Sequence, residues 1–203
     1  MANADAAFGL RPVRYLDGRP YNGASVKAFA FDTSTPLAIG DPLVLSGTAG
    51  ANGIPQFKRA AAAGPIDAVV VGLASSKGED ENVILRDASR VIPATTSADD
   101  GAFVHVVPAT ADLLFEVQED SDSENVAIAE VGLHANLIYT APDTVNGISK
   151  VELDSNTAAT DTTAGLAVKI FGLVENEDND VGTNANWLVS NVKSTWGTAG
   201  SSR

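Results

Sequence analysis

Apolar residues in this chain come in short runs separated by turn formers, and nearly all of the runs are too short for a helix. That alternation restricts the fold more than any other feature, because runs of about four to eight residues bounded by Gly, Pro, Asn or Asp read as strands. The pattern predicts strands over Val26–Phe31, Leu37–Leu45, Ile54–Lys58, Ile66–Leu73, Asn82–Arg86, Ala102–Val107, Leu113–Gln118, Ile148–Leu153, Leu166–Val174 and Trp187–Val192. Turn chemistry lies between them at Gly40-Asp41-Pro42, Asp99-Asp100-Gly101 and Val145-Asn146-Gly147. Helical spacing occurs over Ser123–Leu137, where Val126, Ala129, Leu133 and Leu137 recur, although Gly132 interrupts it. Residues 59–63 read either as a turn of helix or as a small-residue strand edge. The expected fold is therefore mainly β: an antiparallel β-barrel or β-sandwich with one short helix and an extended N-terminal arm. The boundaries are an arm over 1–25, a β-rich domain over 26–195 and a C-terminal tail over 196–203.

At 203 residues the chain makes one domain of ordinary size. Hydrophobic residues are 44% but aromatics only 6%, so the core is expected to be Val, Ile, Leu and Ala. There is no cysteine, which removes disulfides, thiolate metal sites and thiol nucleophiles. The formal charge is 13 − 26 = −13, which argues against a nucleic-acid partner, since phosphate binding needs a cationic surface. No segment approaches the roughly 20 apolar residues of a membrane span, and the start lacks the basic and apolar regions of a secretory leader. No membrane is expected as a partner, and synthesis is expected in the cytoplasm.

The charge is unevenly placed. Residues 1–27 carry Arg11, Arg14, Arg19 and Lys27 against Asp5 and Asp17, whereas 112–203 carry four basic and fifteen acidic residues. The basic segment also holds Phe8, Tyr15 and Tyr21, so it reads as an arm whose side chains need a surface to lie on. That surface is either its own domain or a neighbour. The acidic clusters Glu116, Glu119, Asp120, Asp122, Glu124 and Asp178, Asp180 read as solvated turns, with calcium as an inexpensive test.

Catalytic patterns are not found. His105 alternates with valines in a strand and His134 lies in the expected helix, which favours structural roles. Ser190 and Lys193 have the spacing of a serine-hydrolase motif, but in a strand that spacing does not bring hydroxyl and amine together. No catalytic, cofactor-binding or metal-binding residue is assigned, and no enzyme activity or cofactor is expected. Val69–Leu73 and Lys169–Leu173 echo each other, each preceding an acidic loop, as convergent strand-to-turn chemistry.

Three segments carry a resemblance: Asn3–Arg14 at the start, Leu113–Asp120, and Gly172–Val174 with Asn184–Val189 near the end. They are similar to small structural proteins of tailed bacteriophages, in particular capsid cement or decoration proteins. The likeness covers the first quarter and the last half of the chain, and residues from about 46 to 110 only in general character. The resemblance implies a non-enzymatic virion protein on the capsid outer surface that cements neighbouring major capsid protein subunits. Its partners would be the major capsid protein and further copies of itself, a trimer ahead of a dimer. Phe8, Arg11, Arg14, Tyr15 and Tyr21 are the expected capsid or subunit contacts, since Arg and aromatic residues are enriched in binding hot spots. Trp196 is expected either as an interface anchor or as a ring packed over its own barrel, and Trp187 in the core. Deleting residues 1–24 is expected to abolish capsid binding and leave the fold intact. The alternatives are a tail- or fibre-associated or carbohydrate-binding module, with Trp187 beside the acidic 175–180 loop, and a carboxylate-using glycosidase.

Overall fold

The computed structural model describes residues 3–32, 34–49, 53–76, 90–95, 101–122, 124–158 and 166–195. The fold is mainly β, as its run-and-turn pattern predicts, with a closed five-strand barrel plus antiparallel sheets. Five strands close a barrel in the order β2 (Val26–Phe31), β4 (Pro55–Arg59), β3 (Pro42–Ala49), β5 (Ala68–Ser76), β6 (Ala102–Pro108). All neighbours are antiparallel except β2 and β4, which run parallel. A five-stranded antiparallel sheet follows the order β1 (Arg11–Tyr15), β7 (Leu113–Gln118), β12 (Asn186–Asn191), β11 (Val168–Leu173), β8 (His134–Ala135). A separate hairpin pairs β9 (Leu137–Asp143) with β10 (Ile148–Leu153). Among the described residues no helix is long and apolar enough to cross a membrane.

Five strands enclose a narrow lumen, so most of its lining must be small. Ala28, Ala30, Ala68, Val70, Ala102, Val104 and Val106 are buried in this core, together with the larger Leu37, Leu43, Ile92 and Phe57. The outward residues of the same strands explain the sheet. Val69 and Val107 leave the barrel and join Leu113, Phe115, Val117, Trp187 and Val189 in a second core. β5 and β6 are thus buried on both faces where they adjoin the sheet, over 68–70 and 106–107, so the apolar residues there are continuous, whereas His105 within β6 stays exposed.

The strands expected over 26–31, 113–118 and 148–153 have the predicted bounds, and most others shift by one to three residues. The stretch Leu37–Leu45 begins its strand only at Pro42, because Gly40 at φ +97° turns the chain. The strand expected over Asn82–Arg86 lies outside the described residues.

The helix over Ser123–Leu137 is a correction. Apart from Ser123, which lies outside the described residues, this stretch runs extended to a single 3-10 turn at Ile128–Glu130, then turns at Gly132 (φ +97°) into β8 and β9. Helical spacing arose by coincidence: Val126 is buried because the Glu119 carboxylate takes its N–H, while Ala129 is exposed. Among the described residues the one α-helical turn, α1, is Ser155–Ala158.

The expected arm is built into the domain along half its length. Residues 11–15 form β1, paired with β7, and Leu10 is 3% exposed in the larger core. Removing residues 1–24 therefore takes away a strand as well as a contact surface. The arm enters through a close backbone crossing: Leu10 N–H donates to Gly40 O at 2.9 Å, and a Cβ on Gly40 would lie 2.3 Å from Phe8 O. Gly40→Ala is expected to destabilise by about 3 kcal/mol, from strained φ plus a clash with main chain that cannot yield. Gly23→Ala, at φ +82° in open space, is expected to cost only about 1 kcal/mol. Urea unfolding of both variants measures the difference, and equal midpoints would contradict the crossing.

Candidate functional site

The arm divides the surface into two clefts. Upstream of Gly9 it is held mainly by side chains acting as backbone substitutes. Gln118 accepts from Ala6 N–H at 2.9 Å and donates to Ala4 O at 2.7 Å, while Asn3 donates to Asp180 O at 2.8 Å and accepts Asp180 N–H at 3.0 Å. Along this strap runs a polar cleft of about 1040 Å3, whose lining includes Asp5, Gln118, Asn146, Lys150, Glu152 and Asn186.

On the other side lies an apolar groove of about 430 Å3, lined by Phe8, Pro12, Tyr21, Ile39, Val71 and Ile148 among others. Ile39 and Ile148 are bridge partners, 44% and 42% exposed, so two branched aliphatic side chains stand side by side toward solvent. Arg11 also lines the groove, its guanidinium 4.2 Å from the Phe8 ring centre and 3.5 Å from the Glu116 carboxylate. Such stacking fixes a long side chain that solvent would otherwise leave free.

Of the residues expected at a contact, Phe8, Arg11 and Tyr21 meet at this groove. Arg14 and Tyr15 lie further along β1. Arg14 is exposed and makes no ion pair among the described residues. Tyr15 packs against the larger core and lies under Arg19, which pairs with Asp17 at 2.6 Å. Tyr21 packs against the same core, and its hydroxyl donates to Ala24 O at 2.7 Å. Trp196 lies outside the described residues. Sequence reasoning missed Ile39 and Ile148. The available signal was register: Ile148 opens β10 on its outward side, in phase with Lys150.

Trp187 is wholly buried and offers no stacking face beside the 175–180 loop. Its indole N–H donates to Glu119 Oε2 at 2.8 Å, and Val126 N–H donates to the same oxygen at 3.1 Å. Glu119 is itself fully buried, and its second oxygen has no partner. Burial pushes this carboxyl up to about 7, against those two donors. Burial, with Asp5 and Asp120 nearby, pushes Glu152 up to about 6. His105 is exposed, with Nδ1 3.4 Å from Ser25 Oγ, and His134 is buried in β8. Ser190 is buried, whereas Lys193 Nζ donates to Ala63 O at 2.9 Å. Among the described residues no three Asp, Glu or His side chains group closely enough to hold a metal ion. The arrangement offers contact surface and buried acid.

Comparison with family models, with curated proteins and with solved structures found no match.

The buried acids set a pH dependence with a definite sign. A carboxyl whose folded pKa is raised contributes stability that is complete below its unfolded value, 4.5 for Glu119, and is lost as pH rises through about 7. Asp122 and Asp143 lie below the usual carboxylate range because main-chain N–H groups donate to them, so their contribution is lost only at lower pH. Thermal stability is therefore expected to peak in mildly acidic buffer and to fall toward neutrality, with Glu119 accounting for on the order of 3 kcal/mol. Glu119→Gln keeps an acceptor for Trp187 and is expected to flatten that fall. An unchanged pH profile in the variant would contradict the assignment.

Proposed function

We propose that this chain is a non-enzymatic virion structural protein that binds the outer surface of a phage capsid and cements neighbouring major capsid protein subunits. It acts as a homo-oligomer, a trimer ahead of a dimer. The resemblance of the opening, 113–120 and the 172–189 region to cement proteins supports this reading. The observation that carries it is the groove: apolar, open, beside the arm, and lined by Arg11 in a chain of net charge −13. Exposed apolar surface next to a fixed Arg is the composition of a binding hot spot. A carbohydrate-binding role is less well supported, because the ring expected to stack on a sugar, Trp187, is core.

Quantitative mass spectrometry of gradient-purified particles is expected to find the chain at a copy number comparable to that of the major capsid protein. A handful of copies would indicate the tail or a fibre, and absence from particles would overturn the virion role. The double variant Ile39→Asp, Ile148→Asp changes solvent-facing positions only. It is expected to keep the wild-type unfolding midpoint to within about 1 kcal/mol while lowering occupancy on heads at least tenfold. Normal occupancy would remove the groove from the contact.

A further inference from the structure

The sequence contains three Asn-Gly pairs, and two lie wholly within the described residues: Asn22-Gly23 in the link between β1 and β2, and Asn146-Gly147 in the turn between β9 and β10. Asn52 of the third lies outside them. Asn-Gly is the dipeptide most open to attack of main chain on side chain, because glycine has no Cβ to hinder the approach. The following nitrogen, on losing its proton, attacks the side-chain Cγ, and the adduct expels ammonia to leave a five-membered succinimide. Water then opens either carbonyl, giving aspartate or isoaspartate. Amide plus water becomes carboxylate plus ammonium, and no other reactant is needed.

Both asparagines are exposed, and the two pairs differ at the attacking nitrogen, the side-chain amide and the room around the glycine. In the β9–β10 turn, Gly147 N–H donates to Asp143 O at 2.8 Å, so the nucleophile is engaged. The Asn146 side-chain amide donates to Asp143 Oδ2 at 2.7 Å, and its main-chain N–H donates to Asp143 Oδ1 at 3.2 Å. Gly147 is buried, and a Cβ there would lie 2.4 Å from Arg90 O, so the turn has no room to change shape. Asn22 and Gly23 are both exposed. Gly23 N–H donates to no acceptor among the described residues, and nothing lies within 4 Å of where its Cβ would be. Asn22 Oδ1 accepts Ala24 N–H at 3.2 Å, which polarises the carbonyl that is to be attacked.

We infer that Asn22 is a site of spontaneous deamidation in the folded protein, and that the β9–β10 turn protects Asn146. The consequence falls on the arm. A new carboxylate lowers the charge of residues 1–27 from 4 − 2 = +2 to 4 − 3 = +1. The isoaspartyl product also adds one carbon to the main chain directly after Tyr21, whose ring lines the apolar groove. The arm's link to the barrel thus changes in charge and length with the age of the molecule.

The test is incubation of the full-length protein in mildly alkaline buffer, with proteolysis and fragment mass spectrometry at intervals. Trypsin releases Tyr15 to Lys27 as one peptide because Pro20 follows Arg19, and fragment ions separate Asn22 from Asp17. A second protease isolates the Asn146 region. Asn22 is expected to lose its amide at least about tenfold faster than Asn146, a barrier difference of about 1.4 kcal/mol. In urea-unfolded protein the two rates are expected to converge, which assigns the difference to structure. Equal rates in the folded protein, or conversion of Asn146 ahead of Asn22, would overturn the inference. Asn22→Gln serves as the control that keeps the amide.

Discussion

Asp41 is the group on which three parts of the molecule close. Its carboxylate is wholly buried, and it accepts Ala38 N–H at 2.8 Å, the Ser149 hydroxyl of β10 at 2.5 Å and the Arg59 guanidinium of β4 at 3.2 Å. Arg59 also donates to Thr140 O of β9 at 3.1 Å, and Gly40, next to Asp41, receives Leu10 of the arm. Barrel, hairpin and arm therefore share one electrostatic junction. Burial pushes Asp41 upward while the Arg59 charge and the donors pull it down. Taking the pair out of water costs several kcal/mol per ion, and only converging hydrogen bonds offset that. The junction consequently specifies geometry: without Arg59 the Asp41 carboxylate would be buried and lack its ion-pair partner. The same closeness explains the two glycines, since no side chain fits where Gly9 and Gly40 cross.

Barrel and sheet are tied along a second line. Asn191, the last residue of β12, donates to Ile66 O at 2.6 Å and to Ala109 O at 2.7 Å, which flank β5 and β6. Asp67, 1% exposed, accepts Leu45 N–H at 2.8 Å and Thr195 N–H at 2.6 Å, drawing the segment after β12 onto the barrel. Buried polar side chains stand here where the two sheets cannot share a continuous ladder. Each must be satisfied or the join would be destabilised by the cost of a desolvated group.

How much of this was legible in the sequence depends on whether the cause was local. β2, β7 and β10 were legible because each has an intrinsic pattern bounded by turn residues. β1 was not, because Arg11, Pro12 and Arg14 give no apolar alternation. It is a strand because β7 offers an edge and Leu10 a core position, and both are tertiary facts. The segment 124–137 failed for the same reason: its apolar residues are spaced for a helix, but a carboxylate seven residues back fixes Val126. At the groove, Phe8, Arg11 and Tyr21 could be chosen by residue type. Ile148 was within reach through its outward register in β10, but Ile39 was not, since it lies outside any strand and meets Ile148 only through a bridge between residues 109 positions apart.

An arm fixed in this way changes how the proposed contact would work. A flexible tether loses on the order of 1–2 kcal/mol of backbone entropy for each residue that binding orders. Residues 3–15 have already lost it on folding, through β1, Leu10 and the Gln118 and Asn3 hydrogen bonds. The groove is therefore preformed, and its binding energy is not spent on ordering the segment that lines it. It is also small, about 430 Å3, with two partly exposed isoleucines and a stacked arginine in its lining. A single such contact is weak, well short of a standard protein interface. On a repeating lattice the same contact recurs at every copy, and linked copies bind with an effective concentration that one groove alone never reaches. A rigid module with one modest patch is thus better suited to a symmetric oligomer on a periodic surface than to capture of a solitary partner, and the cement reading uses that property of the fold.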